Sequence, residues 1–169
     1  YILDYNQITE ELEIMSGWPY IFPDGTSFYA STPGIADFNK DGKNEIVVFT
    51  NNITYPFWEW ENYVGKIYVF YSNGTIYPGW PRKVNGYFET HTPIIADINN
   101  DGDLDIIATD MDVVFYETNW NYSLYKDLYF SNSSIYVFSS NGELINQWWV
   151  DDPTILPYFA DGEAYVFDL

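Results

Sequence analysis

Cysteine is missing from this 169-residue sequence altogether, which removes disulfide staples and thiolate metal sites and leaves the redox compartment unread. Histidine occurs once, at His91, so a zinc centre built from several His or Cys ligands is out of reach. Basic residues are scarce: six Lys and Arg stand against twenty-five Asp and Glu, for a net charge of −19. Nucleic acid is excluded as a partner on that balance, because phosphate binding needs clustered cations. No apolar run reaches the roughly eighteen residues of a membrane helix, and no charged-then-apolar leader precedes Tyr1. The expectation is a soluble chain without a membrane span, from which any export signal has been removed. Helical periodicity is almost absent, and the acidic stretch from Glu10 to Glu13 is too short and interrupted to supply it. Nucleophile motifs and glycine-rich phosphate loops are lacking too. His91, just before Thr92 and Pro93, reads as a structural or surface residue. Twenty-five acids always permit a close pair of the glycosidase kind, yet the acids with recognisable spacing have another use, and the expectation is a non-enzymatic protein.

That use is set by two stretches, D-F-N-K-D-G-K-N-E from Asp37 to Glu45 and D-I-N-N-D-G-D-L-D from Asp97 to Asp105. Oxygen-bearing side chains fall at the first, third, fifth and ninth positions of both (Asp37, Asn39, Asp41, Glu45; Asp97, Asn99, Asp101, Asp105), and Gly stands at the sixth. A hard cation such as Ca2+ takes six to eight oxygens at about 2.3 to 2.6 Å, which alternate residues of a tight loop can supply. The seventh residues, Lys43 and Asp103, would add main-chain carbonyls. Two Ca2+ sites are therefore expected. One such string is also ordinary turn composition; two with one layout are a much stronger signal.

The loops sit inside a larger repeat. P-G-I-A-D (Pro33 to Asp37), P-I-I-A-D (Pro93 to Asp97) and P-Y-F-A-D (Pro157 to Asp161) each open a hairpin, and the third leads through Asp161, Gly162 and Glu163 with its loop lost. Buried-looking strands follow as E-I-V-V-F and D-I-I-A-T. Further on come K-I-Y-V-F-Y-S-N-G (Lys66 to Gly74) and S-I-Y-V-F-S-S-N-G (Ser134 to Gly142), each followed by a last strand, from Thr75 to Pro81 and from Glu143 to Trp149. The ending I-M-S-G-W-P recurs near the N-terminus, from Ile14 to Pro19, with Tyr1 to Asn6 as its partner strand. A tandem unit of four strands and about 60 residues is a propeller-blade pattern. The string P-x-x-A-D-x-N-x-D-G-x-x-[D/E]-I resembles the FG-GAP or VCBS-type repeat, the calcium-bearing blade of integrin alpha-chain propellers and of many secreted prokaryotic proteins. The resemblance implies an all-β, propeller-like fold of four-stranded antiparallel blades. Glu45 departs from the usual final Asp of the motif.

Counted in strands, the chain opens with the third and fourth strands of one blade (residues 1–22), continues through two whole blades (23–85 and 86–150), and closes with first and second strands (151–169). Three blade-equivalents are too few for an ordinary ring of about four to eight, and half-blades expose strand edges that pair readily with another chain. The split blade is therefore expected to be completed between molecules, giving a closed ring of two chains or a head-to-tail filament according to the rotation per subunit. A piece of a larger propeller is the alternative.

Four N-x-[S/T] sequons, at Asn52, Asn73, Asn121 and Asn132, are candidate glycosylation sites; their use would place the protein outside the cell or at its surface. Asn52, Asn121 and Asn132 are expected in or beside the loops Asn51–Gly65 and Asp110–Ser133. Aromatics form 21% of the chain, and these loops hold Trp58, Trp60 and Trp120, expected to pack or to make subunit contacts. Adhesion or carbohydrate binding through these rings, with glycans or cell-surface proteins as partners, is the competing function.

Overall fold

The computed structural model describes residues 3–6, 10–22, 32–53, 63–84, 86, 88, 92–115 and 128–150. The described residues form ten strands and no helix, so none of them forms a helix long and apolar enough to cross a membrane. The strands are β1 (Leu3–Asn6), β2 (Glu11–Ile14), β3 (Gly34–Ala36), β4 (Glu45–Ile53), β5 (Tyr63–Phe70), β6 (Arg82–Val84), β7 (Ile94–Ala96), β8 (Asp105–Phe115), β9 (Leu128–Phe138) and β10 (Leu144–Val150). They make two four-stranded antiparallel sheets, ordered β3-β4-β5-β6 and β10-β9-β8-β7, and a two-stranded sheet β1-β2. Each four-stranded sheet is a propeller-like blade in which sequence neighbours are spatial neighbours; the first is blade 1 and the second blade 2. Residues 151–169, the expected first and second strands of the split blade, lie outside the described residues.

The central strands of blade 1 are apolar on both sides because that sheet is covered on both faces, by Trp18 to Phe22 and by blade 2. In β4 and β5, Ile46, Val47, Phe49, Ile67, Tyr68, Val69 and Phe70 are all buried. One contiguous core runs across both blades. Val47, Phe49, Ile67 and Val69 of blade 1 join Ile106, Ala108, Tyr136 and Phe138 of blade 2, with Phe38, Trp80, Val84 and Phe88 in the same cluster. The connector between the blades is held by side chains that act as strand partners. The Asn51 amide binds both the main-chain N–H and the carbonyl of Phe88, and the Phe88 ring stacks on Phe49 at 4.4 Å. In blade 2 the buried Asp110 accepts from Ser134 N at 2.9 Å and from the Tyr136 hydroxyl at 2.9 Å.

Adjacent units are joined by one device used twice. Trp18 Nε1 donates to the Ser72 carbonyl at 2.9 Å, and Trp80 Nε1 donates to the Ser140 carbonyl at 2.9 Å. Their indoles meet Phe70 and Phe138 edge-on at 5.6 and 5.8 Å. The preceding glycines, Gly17 and Gly79, lie at φ +91° and +89° against the main chain of Asn73 and Asn141. The G-W-P elbow of one unit thus seats on the S-N-G turn of the next.

Three expectations about strand limits are corrected. In blade 1 the segment Thr75–Pro81 is not a continuous fourth strand: it makes a single bridge, Ile76 to Phe70, then turns through the elbow, and the paired strand is Arg82–Val84. Pro78 and the positive-φ Gly79 break the ladder there. At the N-terminus the strand paired with β1 is Glu11–Ile14, and Met15–Pro19 lies beyond it. The loops after the second strands are also shorter than expected, since β4 runs to Ile53 and β8 to Phe115, paired with strands starting at Tyr63 and Leu128. Asn52 and Asn132 consequently stand on paired strands, opposite Val64 and Asp112, and not in loops.

Candidate metal centres

The loop Asp37–Glu45 joins β3 to β4, and the loop Asp97–Asp105 joins β7 to β8. Both fold through the same hydrogen bonds, because a short-chain Asx residue can capture main-chain N–H groups two to five positions on. The first Asp binds the fifth and sixth N–H groups. Asp37 accepts from Asp41 N at 3.0 Å and Gly42 N at 2.8 Å; Asp97 accepts from Asp101 N at 3.1 Å and Gly102 N at 2.9 Å. The amide oxygens of Asn39 and Asn99 accept from Asp41 N and Asp101 N, both at 3.0 Å. The fifth carboxylates, Asp41 and Asp101, accept from Lys43 N and Asp103 N, both at 2.8 Å. The sharp bends fall at Lys40 and Asn100, with φ of 60° and 56°, and at Gly42 and Gly102, with φ of 84° and 91°.

The ninth residues close the base of each loop. Glu45 and Asp105 are each 1% exposed, and they accept from Phe38 N at 2.9 Å and Ile98 N at 3.1 Å. Burial pushes the Glu45 carboxyl above its ordinary pKa, and the negative charges of Asp41 and Asp37 push in the same direction, against the Phe38 N–H. Asp105 is raised likewise by burial and by Asp101, Asp97 and Asp103, against the Ile98 N–H. Asp101, at the exposed rim, is lowered by the Asp103 N–H, then by the Asn99 amide and Lys40. The loops touch: Lys40 Nζ of the first lies 2.8 Å from Asp103 Oδ1 of the second, both side chains largely exposed.

Each loop sets one buried carboxylate at its base with the charges of its other carboxylates nearby, oxygens of the hard kind that a divalent cation takes. Among the described residues no three Asp, Glu, His or Cys side chains stand together as a group that could hold a metal ion. Beside the carboxylates each loop offers the amide oxygen of Asn39 or Asn99. The sequence reading missed the Lys40–Asp103 link, which only the side-by-side placement of β3 and β7 creates.

Of the sequons, Asn73 lies in the exposed turn between β5 and Thr75, where its side-chain oxygen accepts from Thr75 N and Oγ1 at 3.0 and 2.7 Å. Asn121, Trp58, Trp60, Trp120 and His91 lie outside the described residues.

Four-stranded antiparallel sheets stacked face to face, each opened by an acidic hairpin loop, define a protein of the β-propeller blade class. More particularly, residues 37–108, from the first loop to the second strand of blade 2, match the family model of the FG-GAP-like repeat. Neither the curated proteins nor the solved structures include a match to the chain.

Proposed function

We propose that the chain is a secreted, non-enzymatic structural module in which two Ca2+ ions pin the first hairpins of blades 1 and 2, and whose split blade is completed by another copy, so that subunits assemble head to tail at or outside the cell surface. The duplicated loop geometry carries the metal part. Two loops of different sequence make the same hydrogen bonds around a buried, charge-crowded carboxylate. Asp37, Asn39, Asp41, Glu45 and the Lys43 carbonyl would hold one ion; Asp97, Asn99, Asp101, Asp105 and the Asp103 carbonyl would hold the other. A bound ion supplies the positive charge that each ring of oxygens lacks, while the chain's own N–H groups keep the carboxylates aimed. The β1-β2 hairpin supports the assembly part. A two-stranded sheet is marginal alone, and every residue of Glu11–Ile14 is exposed.

The test is thermal unfolding of the full chain in millimolar calcium and in excess chelator. Extracellular calcium modules bind with Kd of about 10⁻⁴ to 10⁻³ M, so millimolar calcium stands at about 1–10 times Kd and adds about 0.4–1.4 kcal/mol per site. Two sites add about 1–3 kcal/mol, so chelation is expected to lower Tm by roughly 2–12 °C and to dissociate assemblies. An unchanged melting curve, with no calcium retained after dialysis, refutes the metal sites.

A further inference from the structure

The turn that receives the first elbow has two sides. Its inner side is the joint, where the Asn73 carbonyl lies against Gly17 and the Ser72 carbonyl accepts from Trp18 Nε1. Its outer side carries the side chains of Asn73 and Thr75, both exposed. The main chain between them is fixed: Gly74 N donates to the Tyr71 carbonyl and Tyr71 N to the Thr75 carbonyl, each at 2.9 Å. Gly74 takes the bend at φ +80°, a conformation that residues with a side chain rarely adopt.

Asn73 Oδ1 accepts from Thr75 N at 3.0 Å and from Thr75 Oγ1 at 2.7 Å. This Asx turn uses the amide oxygen and leaves Nδ2 with no acceptor among the described residues. The amide nitrogen and the hydroxyl two residues on are thus grouped at one solvent-facing point. Blade 2 folds the same turn over residues 139–143. Gly142 N donates to the Ser139 carbonyl at 2.8 Å with Gly142 at φ +80°, Asn141 Oδ1 accepts from Glu143 N at 3.1 Å, and the Ser140 carbonyl receives Trp80. There the residue two positions on is Glu143, so Asn141 has the backbone of Asn73 without the hydroxyl. Asn52 and Asn132 have the sequon without the turn, since their main chains are paired with Val64 and Asp112.

We propose that Asn73 is the acceptor of an N-linked glycan, selected by this turn, with an oligosaccharide carried on a lipid pyrophosphate as the donor. Nδ2 attacks the anomeric carbon of the sugar. The C–N bond forms as the C–O bond to the pyrophosphate breaks, the pyrophosphate leaves with the electron pair, and one Nδ2 proton passes to a base of the transferase. A glycan on this side chain points away from the joint and requires no change in the turn beneath it. It marks the first joint and leaves the second bare. This inference rests on the secreted reading above, because N-linked glycans belong to exported proteins, and adds to it which Asn is used.

The experiment is peptide mass mapping of the full chain, isolated from the cells that make it and, in parallel, secreted from a host that attaches N-linked glycans. Wild type is compared in that host with Thr75→Glu and Glu143→Thr, which exchange the exposed residues that distinguish the two turns. Melting temperatures should stay within about 2 °C of wild type, the range of a surface change. In wild type the peptide holding Asn73 is expected to carry sugar at several-fold higher occupancy than the peptide holding Asn52. Thr75→Glu should abolish the sugar at Asn73, and Glu143→Thr should create one at Asn141. A wild-type chain bare at Asn73 in the host, equal occupancy at Asn52, or a Glu143→Thr chain bare at Asn141 overturns the turn as the selecting feature. A chain occupied in the host and bare from its own cells overturns the secreted reading and leaves the acceptor turn standing.

Discussion

Substituting Gly79 by Ala puts the junction between blades 1 and 2 to a quantitative test. Gly79 has φ of +89°, and a Cβ built there overlaps the Asn141 carbonyl oxygen, a main-chain atom that cannot swing aside. Left-handed backbone costs an L-residue about 1–2 kcal/mol. The overlap adds a larger share, because the elbow must lift from the turn. Lifting breaks the Trp80 Nε1 to Ser140 O bond, worth about 1 kcal/mol net, and re-exposes part of an indole that is now 7% exposed, at roughly 1.5–3 kcal/mol for a large apolar side chain. The sum is about 3–6 kcal/mol, or a Tm lowered by roughly 6–24 °C at 2–4 °C per kcal/mol. Gly42 is the internal control. It has φ of +84° with nothing within 4 Å of an added Cβ, so Gly42→Ala should show the backbone cost alone, about 1–2 kcal/mol. Both variants are melted in excess chelator, so that loop occupancy does not enter. Combining Gly79→Ala with Trp80→Phe should give less than the sum of the separate losses, since both act through one contact. A Gly79→Ala protein no less stable than Gly42→Ala would refute the elbow as a structural joint.

Other outcomes follow from the same contacts. Asp110→Ala strands the Ser134 N–H and the Tyr136 hydroxyl in the core and is expected to cost about 2–5 kcal/mol by denaturant titration, whereas Tyr136→Phe, which removes one donor, costs about 1 kcal/mol. Asp37→Asn and Asp97→Asn keep shape but remove charge from the residue that organises each loop; each should halve the calcium bound at saturation, measured by equilibrium dialysis, and the double variant should melt alike with and without calcium. Lys40→Ala breaks an exposed ion pair and should leave the Tm in chelator unmoved. A substantial fall would show that the bridge couples the loops.

What the sequence made legible is what it repeats. The two P-x-x-A-D strings, the Asx spacing and the alternating K-I-Y-V-F and S-I-Y-V-F runs located the hairpins, the loops and the third strands, because these depend on local pattern and turn chemistry. The fourth strand of blade 1 was misplaced because an alternating run, T-I-Y-P-G-W-P, is compatible with a strand until Pro78 and Gly79 are required to turn against a neighbouring blade. The G-W-P and S-N-G strings were both visible, yet nothing local says that one docks on the other; that is a contact between residues 54 and 60 positions apart. Asn52 and Asn132 were expected in or beside loops, in keeping with the depletion of Asn in strands, whereas pairing with Val64 and Asp112 extends both hairpins past that polar composition. The Asn51 clamp on Phe88 carried no signal at all in the sequence, since its meaning depends on where the connector passes.

The elbow and its receiving turn have a consequence for how such a chain can change in length. Blade 1 owns both parts, the turn at Tyr71–Thr75 that receives Trp18 and the elbow that delivers Trp80. Copying blade 1 in tandem would create a new joint identical to the old ones, with no fresh surface to invent. Blade 2 supplies the turn that receives Trp80, and its β10 stays paired with β9 through Leu144–Val150, with a register shift between Leu144 and Asn146. Repeats of the blade 1 kind are thus interchangeable parts, because each carries both halves of the joint.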